Sequence, residues 1–274
     1  MADVSLTAGM RSNLLTLQQT ANLMTITQQR LATGKKVNSA LDDPAKFFSS
    51  QSHLSRASDL DRLKAGMGES IQTIKAADQG ITGVLSLLEQ ARGLADSARS
   101  SATPATLAEQ FNNLVSQMKT LVEDAGYKGT NLLNNQNLIT QFEGTHNLAT
   151  TGVDASADTN YLGGLANATS NANGGYNNFA TEADITNAID DLNSVVNNFR
   201  AASSTLAANV SVITTRQDFT SGLIDTLKAG ASNLTAADTN EEGANMLMLQ
   251  TRQQLGTVSL QLAAQAAQSV LRLF

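Results

Sequence analysis

The sequence predicts a mainly α protein: a long coiled-coil helical rod made from both chain ends, with a small β-hairpin region in the middle. Three observations predict it. Residues 12–29 and 253–271 contain no charged side chain, are rich in glutamine, and carry Leu, Met, Val and Ala at helical spacing. Between them the helical period persists over stretches longer than compact domains use. Large anchors are scarce: 4% of residues are aromatic, with no Trp, no Cys and two prolines in 274 residues. Stability must therefore come from helix length and repetition.

The first helix is read from Met10, Leu14, Leu17, Ala21, Met24, Gln28 and Leu31, whose alternating steps of four and three make a heptad seam. Leu15, Leu23 and Ile26 add a second stripe, wider than a two-stranded coil needs, and so predict several neighbours. Gly34 is the stop, a residue that tolerates the left-handed conformation, with Lys35 and Lys36 beside the negative end of the helix dipole. Asp42-Asp43-Pro44 is the next start, a carboxylate cap followed by proline at the first helical position. Helical spacing then continues from Pro44 to about Arg99, on the order of 80 Å at 1.5 Å per residue. Thr103-Pro104 repeats the start signal, and Leu107, Phe111, Leu114, Met118, Leu121 and Val122 carry a helix to Ala125-Gly126.

Residues 138–153 alternate loosely around a Glu-Gly-Thr-His turn and predict a β-hairpin. Residues 154–181, dense in Asn, Gly, Ser, Ala and Thr, are expected to be a surface loop or outer patch rather than a core. From about Glu182 the helical period returns, with a break expected at Gly230 to Asn233. A last helix carries Leu247, Thr251, Leu255, Val258, Leu262, Ala266, Val270 and Leu273. Both termini must lie together if the end helices pair.

The net charge of −6, with no basic run interleaved with aromatics, argues against nucleic acid as a partner. Five glutamines in 253–271 argue against membrane insertion. The N-terminus lacks the basic, apolar and small-residue sections of a secretory signal peptide, so export is expected without such a cleaved signal. No enzyme chemistry is found. His53 and His146 are far apart and in no zinc-binding spacing, and no phosphate-binding or nucleophile motif appears. Gly66 and Gly68 sit inside a helical pattern and are read as points of close helix packing. Glu241 and Glu242 are read as a solvated helix face, and no catalytic residue, cofactor or metal is expected.

The segment Gln29-Arg30-Leu31-Ala32-Thr33-Gly34-Lys35-Lys36-Val37-Asn38-Ser39-Ala40-Leu41-Asp42-Asp43-Pro44-Ala45 resembles the N-terminal signature of bacterial flagellins, RLSSG, two variable positions, then INSAxDDxA. The family's C-terminal run is echoed by Ala244-Asn245-Met246, Gln250, Gln253-Gln254, Gly256, Leu260, Ala264, Gln268 and Leu271-Arg272-Leu273. The resemblance covers roughly 1–135 and 182–274 and is closest in look to short alphaproteobacterial flagellins.

The resemblance implies an extracellular filament subunit for swimming motility. Residues 1–36 and 235–274 would form inner-tube helices, 37–43 the spoke, 44–135 and 182–234 the outer-tube rod, and 136–181 the hairpin and exposed segment. Inner-tube assembly would rest on Met10, Leu14, Leu17, Met24, Leu31, Leu255, Val258, Leu262, Val270 and Leu273, and the spoke on Gly34, Asn38, Asp42, Asp43 and Pro44. Implied partners are further copies or paralogous flagellins, the flagellar export apparatus and an export chaperone, and the filament cap and hook–filament junction proteins. Thr145, Thr150, Thr151, Thr159, Thr169 and Ser170 are candidate sugar acceptors. Relatives detected by the animal flagellin receptor carry an Arg where this chain has Gln90, with Leu94 retained, which implies weak activation. A hook–filament junction protein, or a coiled-coil adhesin or secretion tip protein, is the alternative; the short, featureless middle favours the filament subunit.

Overall fold

The structure, a computed structural model, describes residues 8–170 and 175–271. Among these lie five α-helices: α1 (Ala8–Thr33), α2 (Pro44–Ala98), α3 (Pro104–Asp124), α4 (Glu182–Thr235) and α5 (Thr239–Leu271). One antiparallel hairpin, β1 (Leu138–Glu143) with β2 (His146–Thr150), and two 3-10 turns, Leu162–Gly164 and Asn177–Phe179, complete the order. The chain is mainly α with a small sheet in its middle. It falls into two compact units, Met1–Ala57 with Asp225–Phe274, and Ser58–Ile224. Each is described in turn.

The central unit is organised in sevens. On α2, Leu60, Met67, Ile74, Ile81, Leu88 and Ala95 are buried at intervals of seven, and Ala77, Val84, Ala91 and Ala98 form a second buried line three residues on from Ile74, Ile81, Leu88 and Ala95. On α4, Ile185, Leu192, Phe199, Leu206 and Ile213 repeat the same interval. A repeat of 3.5 residues per turn keeps such a stripe facing one partner along the helix. The two run antiparallel. Ser203 Oγ donates to Asp78 Oδ1 at 2.6 Å, Lys64 Nζ donates to Ser221 Oγ at 3.0 Å, and Arg99 pairs with Glu182 at 2.6 Å.

Alanines and glycines set how closely neighbours approach this core. A Cβ on Gly80 would fall 2.5 Å from Ala125 Cβ and 3.0 Å from Leu133 Cδ1, and one on Gly83 would fall 2.8 Å from Leu121 Cδ2. Close packing was expected instead at Gly66 and Gly68. There the structure differs: nothing lies within 4 Å of a Cβ on Gly66, and only the flexible end of Gln217, at 3.7 Å, near Gly68. Both glycines lie on helix surface with room to spare. Gly66→Ala is accordingly expected to stabilise the unit by roughly 0.5–1 kcal/mol through helix propensity. Gly80→Ala is expected to destabilise it, because overpacking of about 1–3 kcal/mol exceeds that gain. Thermal melting of the two variants checks the opposite signs.

The segment 154–181 is where the expectation of a surface patch fails. Ala155, Leu162, Leu165, Ala168, Tyr176 and Phe179 are all buried in the same core as α2, α3 and α4. Phe111 of α3 meets Tyr176 and Phe179 edge-on, with ring centroids 5.8 and 5.6 Å away. Tyr161 meets Phe199 of α4 at 4.9 Å. The Tyr176 hydroxyl donates to Asp191 Oδ2 at 2.7 Å and accepts from the Ala166 N–H; burial, then the bond to Asp191, pushes the phenol well above its ordinary range. Asn112 and Asn131 supply the backbone with partners that a loop lacks. Asn112 Oδ1 accepts from the Ala168 N–H, and Asn131 Nδ2 donates to the Val122 and Glu123 carbonyls at the end of α3. Asn177, Asn178 and Phe179 hold φ of 42°, 58° and 56°, a left-handed stretch that asparagine tolerates and that burial of Phe179 enforces.

The hairpin turns at Gly144, φ +57°, with Leu138 opposite Thr150 and Thr140 opposite Leu148, and an irregularity between Gln141 and Glu143. Phe142 and Thr140 face inward, with the Arg216 guanidinium 5.3 Å from the Phe142 ring centre.

Two sequence-derived details are corrected. The break expected at Gly230 to Asn233 is absent: α4 continues to Thr235, whose hydroxyl bonds back to the Ala231 carbonyl. The chain turns at Ala236–Asp238, where the Ala236 N–H closes onto Ser232, and Asp238 Oδ1 caps α5 through the Asn240 N–H at 2.9 Å. Thr103 precedes α3 as expected but makes no side-chain cap; Pro104 and the bond from Thr106 N–H to the Thr103 carbonyl start that helix.

Candidate assembly surface

The terminal unit pairs the two ends of the chain. α1 and α5 run antiparallel. Asn13 Nδ2 donates to Ser259 Oγ at 3.2 Å, Leu17 lies against Gly256, and Arg30 Nη1 bonds Glu242 Oε1 at 3.0 Å. A Cβ on Gly256 would fall 2.7 Å from Leu17 Cδ2. Glycine at this point lets the leucine seat on the helix backbone.

The seam differs from the one read in the sequence. On α1 the buried residues are Met10, Thr20 and Thr27, with Asn13, Leu17, Ala21, Met24 and Leu31 half-buried. Met10, Leu17, Met24 and Leu31 therefore lie where the heptad placed them. Leu14 and Gln28 are exposed, and Asn13, Thr20 and Thr27 take the alternate positions. Thr20 satisfies its hydroxyl on the Thr16 carbonyl at 2.8 Å, which leaves a methyl group for the seam. On α5 the side facing α1 carries Glu242, Met246, Leu249, Gln253, Gly256 and Leu260, again at steps of four and three.

The larger apolar residues of α5 point the other way. Leu247, Met248, Leu255, Val258 and Leu262 are 51–67% exposed, and Met248, Leu255 and Leu262 stand one heptad apart. Leu14, Leu15, Leu23 and Ile26 do the same on α1, at 40–57%. The paired helices thus share a seam of Met, Leu, Thr and amide side chains and leave a second set of large apolar side chains in water. An apolar surface of this extent marks an interaction site. Leu273 and the side chain of Val270 fall outside the described residues.

The spoke residues form one tight turn. Gly34, φ +66°, donates to the Arg30 carbonyl and ends α1. Lys36 and Val37 N–H groups bond the Thr235 carbonyl at 2.7 and 3.3 Å, and the Ala237 N–H bonds the Gly34 carbonyl at 2.9 Å, fastening the two connections together. Asp42 Oδ2 accepts from the Ser39 N–H at 2.8 Å, the Asn38 N–H at 3.0 Å and the Ser39 hydroxyl at 3.1 Å. Those donors, the Ser39 N–H foremost, hold the Asp42 carboxyl below its ordinary value of 3.8. Asn38 Nδ2 closes on the Lys35 carbonyl. Asp43 Oδ1 caps α2 through the Lys46 N–H at 3.1 Å, with Pro44 first in the helix. Buried Glu242, which ties α5 to Arg30, was read in the sequence only as a solvated helix face. Its signal there is its match in register with Arg30 once the ends are paired antiparallel.

The candidate sugar acceptors separate. Thr145, Thr151 and Thr159 are exposed, and Thr169 and Ser170 are half-buried. Thr150 is corrected: it is 1% exposed and its hydroxyl accepts from Asn209, so no sugar-transferring enzyme reaches it in the folded unit. Gln90 is exposed and donates to the Ser86 carbonyl, with Leu94 half-buried on the same helix. No helix among the described residues is long and apolar enough to cross a membrane.

Comparison with known proteins identifies the family of the chain. A family model of the bacterial flagellin N-terminal helical region matches residues 5–138, and one of the C-terminal helical region matches residues 185–274. Flagellin FljK of Caulobacter vibrioides is 28% identical over 275 residues, covering 99% of this chain and 98% of its own. A Brucella melitensis flagellin is 24% identical over 286 residues, covering 100% of this chain and 99% of its own. The crystal structure of Bacillus cereus flagellin aligns with 57% of this chain and 88% of its own at a TM-score of 0.48 and 12% identity.

Proposed function

Because this chain belongs to the bacterial flagellins and is a structural subunit of the flagellar filament, we propose that its terminal unit is the element that drives polymerisation. The observation that carries this reading is the double apolar surface of α1 and α5, left uncovered by the described residues. Each large side chain fully covered by a neighbouring copy contributes about 1.5–3 kcal/mol, and the charge-free stretches 12–29 and 253–271 bring no desolvated ions into that contact. Contacts between unlike surfaces that do not close generate a helical polymer. In this reading Leu14, Leu255, Val258 and Leu262 meet other copies in an inner tube, while Met10, Leu17, Met24 and Leu31 hold α1 on α5.

Several flagellins of one bacterium resemble this chain, among them FljK and FljM of Caulobacter vibrioides at 28% and 29% identity. That supports copolymerisation with paralogues as well as with itself. Passage through the export apparatus, and contact with cap and junction proteins at the filament ends, complete the proposal. Thr145, Thr151 and Thr159 are the acceptors proposed for any sugar. Gln90 in place of a forked cation supports weak receptor activation.

The test is negative-stain electron microscopy of the purified full chain, seeded and salted to drive assembly, beside a chain lacking residues 1–35 and 235–274. Filaments from the first and none from the second are expected. Equal polymerisation by both would remove the terminal unit from the mechanism.

A further inference from the structure

We propose that Met248 is an oxidation site through which the unassembled subunit loses the ability to polymerise. The inference rests on the reading of α5's outward face as an assembly surface and adds to it a chemical vulnerability.

The methionines differ sharply in access. Met67 and Met118 are fully enclosed at 0% exposure, Met10 is 6% exposed, and Met24 and Met246 are half-buried on the sides that α1 and α5 turn to each other. Met248 is 51% exposed, the one large methionine surface open to solvent among the described residues. Its position matters as much as its access. Met248 stands seven residues before Leu255 and fourteen before Leu262, on one line with the two most exposed leucines of that face after Leu247. A thioether suits such a seam because it is apolar and adapts to the partner's shape.

A peroxide supplies the chemistry. The sulfur lone pair attacks one peroxide oxygen, the O–O bond breaks, an S–O bond forms, and the peroxide is reduced to water as the thioether becomes a sulfoxide. The product is polar and chiral and carries a strong acceptor. In the isolated chain that acceptor points into water and disturbs nothing. In a covered seam the sulfoxide oxygen exchanges water for the apolar surface of the neighbouring copy and is desolvated, at a cost that the thioether does not incur. Oxidation therefore acts on assembly and not on the folded subunit, and assembly in turn covers the sulfur.

The experiment treats full-length unassembled chain and preformed filaments with dilute hydrogen peroxide. It maps sulfoxides by peptide mass spectrometry and measures the critical concentration for seeded growth. Met248 should oxidise before the other methionines of residues 8–271, with the critical concentration rising on the order of tenfold. Methionine sulfoxide reductase should reverse the rise, and filaments should be protected at this residue. Met248→Leu, with its own untreated critical concentration as the reference, should show no further rise after the same treatment. The inference is overturned if chain fully oxidised at Met248 grows normally, if Met248→Leu is inactivated as readily as the natural chain, or if filaments and free chain oxidise at equal rates. The first two outcomes leave the underlying reading intact, while equal rates would place Met248 outside the covered face; the assembly reading itself fails separately if charge at Leu262 leaves polymerisation intact.

Discussion

Leu262→Lys forms no filaments at concentrations where the natural chain polymerises, yet its central unit melts at an unchanged temperature. The two halves of this expectation come from one number. Leu262 is 61% exposed in the subunit, so a lysine there keeps its ammonium in water and costs the isolated fold almost nothing. When another copy covers that face the ammonium must be desolvated in a region without acidic side chains, since 253–271 contains none. A penalty of about 3 kcal/mol per contact corresponds to a rise in critical concentration on the order of a hundredfold. Sedimentation of seeded reactions measures it, and circular dichroism reports the fold. Normal filaments from Leu262→Lys would mean that this side of α5 faces solvent in the polymer too.

Phe179→Ala is the largest expected loss of stability, about 3–5 kcal/mol as for a fully buried aromatic. Phe179 is 2% exposed, packs edge-on against Phe111 and stacks with Tyr176 at 6.3 Å. Its removal opens a cavity bounded by α3 and by the segment's own backbone, neither of which can collapse without breaking the Asn112 bonds to Ala168 and Asn167. Denaturant unfolding of the full chain, followed by a probe on α3, measures the change. A loss below about 1 kcal/mol would return residues 154–181 to the status of a surface patch.

These two sites also mark what the sequence could and could not convey. Helix type and extent were legible because apolar spacing, Gly34, Asp43-Pro44 and Pro104 act locally. The role of 154–181 was not, because Tyr161, Leu162, Tyr176 and Phe179 are spaced without period; their common destination is set by α3 and α4 rather than by their neighbours in the chain. The end helices fail in a more instructive way. A stripe of leucines looks the same whether it meets a helix of its own chain or of another copy. Reading Leu14 and Gln28 into the α1 seam followed the heptad spacing, whereas the fold places Asn13, Thr20 and Thr27 there beside Met10, Leu17, Ala21, Met24 and Leu31. Leu14, Leu15, Leu23 and Ile26 stay out of the intramolecular contact. Glu242 was misread for a related reason: a carboxylate in a first helical turn is usually solvated, and only the opposing Arg30 explains its burial.

The sevenfold count shared by α2 and α4 has a consequence for how this part of the chain can change length. Removing one block of seven from α2 and the facing block from α4 would shorten each by about 10 Å while turning the surviving stripe by only ~20°. Every remaining core side chain would still find a partner of the same kind. Losing a single residue from either helix would swing everything beyond it by about 100° and bring solvated side chains inward. The central unit is built to a gauge, and descendants that resize it without refolding it must do so in whole, matched increments.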